Sequence, residues 1–374
     1  MESYKLEAGQ TIQLTTNSIF YRNVYESNLL AVNSDCLEIS TPFYKGLHVP
    51  LNIGFILILK IATEQGTYEF TTEVIDRNID KHSLMVKLPF TPARNEEKKP
   101  EEKSYGKFVT VTSGKGGVGK TSFIINYAIT LAKKGKRVVL IDADLGMANI
   151  DILLKINTRF NLIDVIEGTK TLPEIMVDAP GGIKLIPGGS GIQELANLTT
   201  PQFYRITSGF DYLEKNFDYV LIDTGAGLSK NITNFIFSSD ETIIITTPEP
   251  HAITDAYSIM KVILDKSREI NLKLIVNKCE TIQEGESVLN RITGVVRNFL
   301  NYSITPTGCI LESKVVTRSI KEQAPLCLTY PTSDVARAIE SIVDAELGNQ
   351  KRNQQQGAIS GFVNKFKNLF GKNG

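Results

Sequence analysis

Cysteine is scarce in this chain, and the four present, Cys36, Cys279, Cys309 and Cys327, stand far apart. They form no CxxC pair and no zinc spacing, so neither a disulfide framework nor a structural zinc site is expected. Such usage fits a reducing cytoplasm. Long apolar runs are also lacking. The longest, residues 55–59, is far too short to span a bilayer. The first residues show no basic-then-apolar secretion signal. Any membrane contact is therefore expected to be peripheral, at the inner face of the cell membrane. Nor does one sign of charge dominate: Lys+Arg and Asp+Glu both number 41. With zero net charge, global attraction to nucleic acid is not expected, although a local patch stays open.

What is present is an ordinary globular composition, 42% hydrophobic and 22% charged over 374 residues. That length suits two domains. Residues 1–92 read as β. Tyr68, Phe70, Thr72 and Val74 alternate with Glu69, Thr71 and Glu73, the period of a half-buried strand. Residues 10–15, 29–32 and 55–61 read as further strands. Residues 93–106 are charged, nearly devoid of apolar side chains and broken by Pro100, as expected of a solvated linker. From Lys107 to Glu346 the pattern changes. Apolar runs at 108–112, 137–141, 183–186, 219–222, 242–246 and 272–276 alternate with helix-compatible segments at 122–134, 201–215, 253–270 and 285–300. This alternation predicts an α/β fold, a doubly wound and mostly parallel sheet preceded by a small all-β, barrel-like domain.

After the first of these runs comes Ser113-Gly114-Lys115-Gly116-Gly117-Val118-Gly119-Lys120-Thr121-Ser122. The glycines let backbone N–H groups curl around phosphate oxygens, and a helix N-terminus follows. In this strand–loop–helix setting the segment predicts an ATP site running from Gly114 to Ser122. Lys120 is expected to reach the β- and γ-phosphates, and the Thr121 hydroxyl to bind Mg²⁺. Asp142 and Asp144 end the next run, and Asp223 ends the run at 219–222, where parallel sheets place their ligands. Asn277 ends another and is a candidate for reading adenine; a turn residue is its plainer role.

The extra lysine, Lys115, within Lys-Gly-Gly-Val-Gly-Lys-Thr resembles the signature of the MinD/ParA family of deviant Walker A ATPases. The resemblance covers residues 107–346 and implies an ATP-dependent homodimer in which Lys115 reaches the partner's nucleotide. It also implies that Asp144 orients the attacking water, with Asp142 near the metal and Asp223 holding Mg²⁺. The segments Asp144-Leu-Gly-Met-Ala-Asn149 and Ile186-Pro-Gly-Gly-Ser-Gly191 resemble the FlhG branch, regulators of flagellar number and placement. That branch implies a flagellar or cell-pole partner, with the GTPase FlhF a candidate. Residues 1–30 depart from it by lacking the Asp-Gln-Ala…Leu-Arg segment that stimulates FlhF. The β domain resembles the amino-terminal half of YcgR-type, PilZ-associated proteins, on Leu37-Glu-Ile-Ser-Thr-Pro42 and residues 46–51 and 68–74. It lacks the cyclic-dinucleotide motif, since Arg22 is followed four residues later by Glu26. Protein contact is expected there; a packing role alone is the alternative.

After Glu346 the chain carries basic residues and no acidic ones. Ile359, Phe362, Val363, Phe366, Leu369 and Phe370 share one helical face, with Lys365 and Lys367 largely opposite. Such a helix can lie in an anionic membrane interface or pack back on its own domain. The function expected is a weak, dimer- or partner-stimulated ATPase that cycles on and off the membrane and regulates flagella. A DNA-segregation ATPase and a largely non-enzymatic ATP switch acting through the β domain are the alternatives.

Overall fold

The computed structural model describes residues 6, 8–16, 24–33, 35–44, 47–49, 51, 53, 56–63, 66–78, 81–88, 106–144, 149–189, 200–353, 362, 365 and 366. The chain divides into two compact units, Met1–Lys103 and Ser104–Gly374. The charged stretch 93–105 lies outside the described residues.

The first unit is a closed antiparallel barrel. Its strands are β1 (Thr11–Thr16), β2 (Tyr25–Val32), β3 (Cys36–Ser40), β6 (Ile56–Thr63), β7 (Gly66–Asn78) and β8 (Ser83–Lys87), in the order β1-β2-β3-β8-β7-β6. A separate pair, β4 (Phe43–Tyr44) and β5 (Leu47–His48), forms a small hairpin. Closure comes from β1, which pairs with β2 on one side and β6 on the other. Along β2, Tyr25, Ser27 and Leu29 point inward while Glu26, Asn28 and Leu30 point out, as the pleat demands. Leu14, Leu29, Ile39, Leu59, Val74 and Val86 meet in the barrel core.

The second unit is a covered sheet. Its strands are β9 (Lys107–Ser113), β10 (Val138–Ala143), β11 (Val177–Ala179), β12 (Ile183–Ile186), β13 (Tyr219–Ala226), β14 (Glu241–Thr246), β15 (Leu272–Cys279) and β16 (Thr305–Leu311). The order is β11-β12-β10-β13-β9-β14-β15-β16, and only β11 runs antiparallel to its neighbour. The helices are α1 (Lys120–Lys133), α2 (Ile150–Leu153), α3 (Leu162–Glu167), α4 (Leu172–Ile175), α5 (Thr200–Asn216), α6 (Lys230–Ser238), α7 (Pro250–Lys266), α8 (Ile282–Leu300), α9 (Lys314–Glu322), α10 (Leu326–Thr329) and α11 (Asp334–Asn353). Val109 and Val111 of β9 face one core with α1 and α11. Ile244 of β14 and Leu274 of β15 face another with α7 and α8.

Several elements go beyond the sequence expectation. Strand β16 carries Pro306 and Gly308, which interrupt its apolar run; a proline is tolerated there because β16 is an edge strand. Helix α11 continues to Asn353, past Glu346 where the ATPase segment was expected to end. Helix α7 starts at Pro250, whose fixed φ suits the first helical position.

A charge network is buried at the end of the sheet where the parallel strands begin. Lys107 lies 2.8 Å from Glu241 and 2.5 Å from Glu346. Lys273 pairs with the same two carboxylates. Burial alone would raise the Glu346 carboxyl, yet Lys107 and Lys273 hold it below its ordinary value. Its contribution to stability is therefore present at neutral pH and lost as pH falls through and below the carboxylate range. Replacing Glu346 by Ala leaves Lys107 and Lys273 sharing one buried anion. It should cost about 3 kcal/mol of ATPase-domain stability in urea denaturation at neutral pH.

Candidate nucleotide site

Register assembles the site. On the neighbouring strands β10 and β13, Asp142 stands opposite Asp223, and Asp223 also stands opposite Val111 of β9. Two carboxylates and the root of the glycine loop thus share the edge where the strands end. That edge opens into a cleft of about 920 Å³, large enough for a nucleotide. Gly116, Gly117, Gly119, Lys120, Thr121, Ser122, Asp144 and Asn277 all line it. Val118, Asp142 and Asp223 are buried, and Gly114 and Lys115 precede the lining glycines on the same loop.

The loop is shaped by close contacts. Gly119 has φ +95°, and a Cβ there would collide with Asn277 Nδ2. Gly114 lies flush on α7, where a Cβ would sit 2.5 Å from the Asp255 carbonyl carbon. The Lys120 ammonium donates to Ser113 Oγ at 3.0 Å, with burial lowering its pKa and Asp223 and Asp144 opposing that. The Thr121 hydroxyl donates to Asp223 Oδ2 at 2.7 Å. The other oxygen, Asp223 Oδ1, is buried with no hydrogen-bond partner. Burial pushes the Asp223 carboxyl up to about 7, against the Thr121 hydrogen bond. A buried hydroxyl–carboxylate pair with one orphaned oxygen fits a divalent cation.

Asp142, expected to lie near the metal, has a further task within the chain itself. Its Oδ1 accepts the Asp144 N–H at 3.3 Å, and its Oδ2 accepts those of Asn149 and Ile150 at 2.9 and 3.1 Å. Both oxygens are engaged in tying Asp144 to the start of α2, and burial raises the carboxyl to about 6. Asp142 thus organises the loop that presents Asp144. Gly225 completes that presentation, because a Cβ there would lie 3.0 Å from Asp144 Oδ1.

Asn277 donates from Nδ2 to the Val118 carbonyl at 2.8 Å, so its amide braces the phosphate loop. That brace uses one of the two Nδ2 hydrogens and leaves the other for the expected contact to a ring nitrogen. Sequence reasoning missed Lys278, whose ammonium donates to the Gly117 carbonyl at 2.7 Å from a backbone with φ +58°. It also missed Glu249, 2.5 Å from Lys115. The Asn-Lys dipeptide at a strand end was a signal for the first; nothing local marks the second.

Of the apolar tail residues, Phe362 and Phe366 are fully buried. Phe362 stacks on Phe108 at 3.8 Å between ring centroids. Phe210 of α5 stands edge-on to Phe362 and Phe366 at 5.3 and 5.2 Å. Phe235 of α6 lies 5.8 Å from Phe366, and Lys365 is 3.7 Å from Asp240. The structure thus seats these three residues on their own ATPase domain, the alternative left open for the tail. The expectation that they face a membrane does not describe this state. Ile359, Val363, Lys367, Leu369 and Phe370 lie outside the described residues.

Asp223→Ala should lose most of the Mg²⁺-dependent gain in affinity for a fluorescent ATP analogue. Asp142→Ala should keep that gain while losing turnover. Titrations with and without Mg²⁺ separate the two roles.

Comparison with known proteins adds independent support. Residues 106–276 match a family described as an AAA domain, and residues 7–90 match that of flagellar protein YcgR. The antiactivator FleN of Pseudomonas aeruginosa is 32% identical over 234 residues, 63% of this chain and 84% of its own. The flagellum site-determining protein YlxH of Helicobacter pylori is 33% identical over 243 residues, 65% of this chain and 82% of its own. Among solved structures, the MinC:MinD cell division complex of Aquifex aeolicus matches with a TM-score of 0.53 at 26% identity, over 68% of this chain and 98% of that one. MinD with Mg-ADP from Pyrococcus horikoshii shares the fold, with a TM-score of 0.55 at 23% identity, over 66% of this chain and 98% of that one. With that loop, that cleft and these relatives, the chain belongs to the MinD/ParA family of P-loop ATPases, in the FlhG-like branch that regulates flagellar number and placement, and carries a YcgR-type β domain at its amino end.

Proposed function

We propose that this protein is an ATP-dependent dimerising ATPase that cycles on and off the membrane to regulate flagellar number or placement. The observation that carries this reading is the position of Lys115. It sits on the phosphate loop with its side chain 44% exposed and its ammonium turned to Glu249, away from the Thr121–Asp223 pair, so a second copy can compete for its charge. Supplied in trans, it stabilises charge developing on the transferring phosphoryl group. Within one chain, Lys120 and the loop amides hold the phosphates. Thr121 and Asp223 would hold Mg²⁺, the cation bound with ADP in the Pyrococcus horikoshii relative, which neutralises phosphate charge when bound. Asp144 orients the attacking water, and Asn277 turns its Oδ1 to the adenine amino group.

No helix among the described residues is long and apolar enough to cross a membrane. The amphipathic pattern of the tail is what suits contact with lipid. Phe362 and Phe366 must leave Phe108 and Phe210 before they can enter a bilayer. One short helix binds membranes weakly, and two in an ATP-bound dimer gain avidity without new contacts. The barrel docks a flagellar or envelope protein.

Turnover per chain should rise with protein concentration and stop in Asp144→Ala, with ATP binding retained. Full turnover in that variant would remove Asp144 from the chemistry. Binding to anionic vesicles should require ATP and disappear on deletion of residues 358–374. Phe210→Ala, which hollows the tail's seat by roughly 3 kcal/mol, should bind vesicles without ATP. Equal binding by intact and truncated protein in sedimentation assays would refute the membrane cycle.

A further inference from the structure

The phosphate-loop lysine has a partner on its own chain. Lys115 Nζ lies 2.5 Å from Oε2 of Glu249, the residue capping the start of α7. Both backbones are fixed. The Ser113 hydroxyl donates to the Lys115 carbonyl at 2.7 Å. Gly114 leaves no room for a Cβ against Asp255 of α7. Pro248 and Pro250 flank Glu249, and Pro250 locks φ at the first helical position. Side-chain torsions alone suffice to open the pair.

The pair is also exchangeable. The two side chains are 44% and 59% exposed, and an exposed ion pair is weakly held. Glu249 is nonetheless a good anion: Lys115 first, then Lys278 and His251, hold its carboxyl below the ordinary value. A lysine suits such exchange, because its ammonium is a point charge on a flexible stem and accepts oxygens in many geometries.

We propose that Glu249 is a positioning residue that parks Lys115 on its own α7 in the resting chain and surrenders it to the phosphates of a second copy's nucleotide. The step exchanges one ion pair for another, and no covalent bond changes. A triphosphate carries more negative charge than one carboxylate, so the exchange runs forward only once two chains face each other with ATP. Parking therefore restrains turnover until the dimer forms. The proposal rests on the trans role of Lys115 given above.

Two measurements test it. In the nucleotide-free protein, a zero-length carbodiimide should couple Lys115 to Glu249 within one chain, read as a linked peptide by mass spectrometry. In Asp144→Ala with Mg·ATP, that peptide should fall at least about threefold. Steady-state ATPase at sub-saturating protein should rise about two- to fivefold in Glu249→Gln, the scale of an exposed pair, with KM for ATP unchanged. Glu249→Asp, which keeps the charge, should stay near the wild-type rate. Lys115→Ala separates the two ideas. If it retains turnover, the trans role falls whatever Glu249 does. If it is inactive, a Glu249→Gln rate at or below wild type overturns the parking role, as does a linked peptide undiminished by ATP.

Discussion

The nucleotide site depends on one steric constraint, the absence of a side chain at Gly114. Strand β9 emerges between β13 and β14 and must turn at once against α7. A Cβ at this point would lie 2.5 Å from the backbone of Asp255, so helix and loop would have to part. With the loop held flush, the next residues have little freedom. Val111 is in register with Asp223, and the first turn of α1 brings Thr121 within 2.7 Å of that carboxylate. The geometry of the expected metal pair is thus set by sheet register and one glycine rather than by the side chains themselves.

Buried charge is handled in opposite ways at the two ends of this sheet. Where the strands begin, Glu241 and Glu346 meet Lys107 and Lys273, and the carboxylate of Glu346 is favoured despite burial. Where they end, Asp142 and Asp223 are buried side by side, and burial raises them to about 6 and about 7. In the first arrangement the chain supplies its own cations, although Glu241 Oε1 is left without a hydrogen-bond partner. In the second, backbone amides hold Asp142, while Asp223 Oδ1 has no partner beside the glycine loop, where a divalent cation would complete it.

Much of this is legible in the amino-acid sequence. Continuous apolar runs ending in Asp142, Asp223 and Asn277 locate the strands and the edge where ligands sit, because parallel strands buried on both faces tolerate little else. The glycine-loop residues from Gly116 to Ser122 need only a strand before and a helix after. The amides that Asp142 holds are not legible, because a carboxylate at a strand end looks the same in sequence whether or not three backbone N–H groups meet it. Glu249 is invisible because its partner lies 134 residues away and pairing across that span is decided by packing. Strand β16 is hidden by Pro306 and Gly308, which read as a turn until the neighbouring β15 is known.

The tail shows the limit most clearly. Its helical periodicity names an apolar face but not what covers it. Burying Phe362 and Phe366 against Phe108, Phe210 and Phe235 removes the same hydrocarbon from water as burying them in a bilayer, roughly 1.5–3 kcal/mol for each ring. Apolar burial of these two rings alone therefore does not rank the two hosts. The differences that remain are small and specific. On the protein there is stacking with Phe108 and an ion pair from Lys365 to Asp240. On a membrane there are anionic headgroups for the same lysine and, in a dimer, a second tail. A shift of about 1.4 kcal/mol changes such a balance tenfold. On the proposed reading, these specific contacts, rather than the apolar face itself, let nucleotide state set where the tail sits.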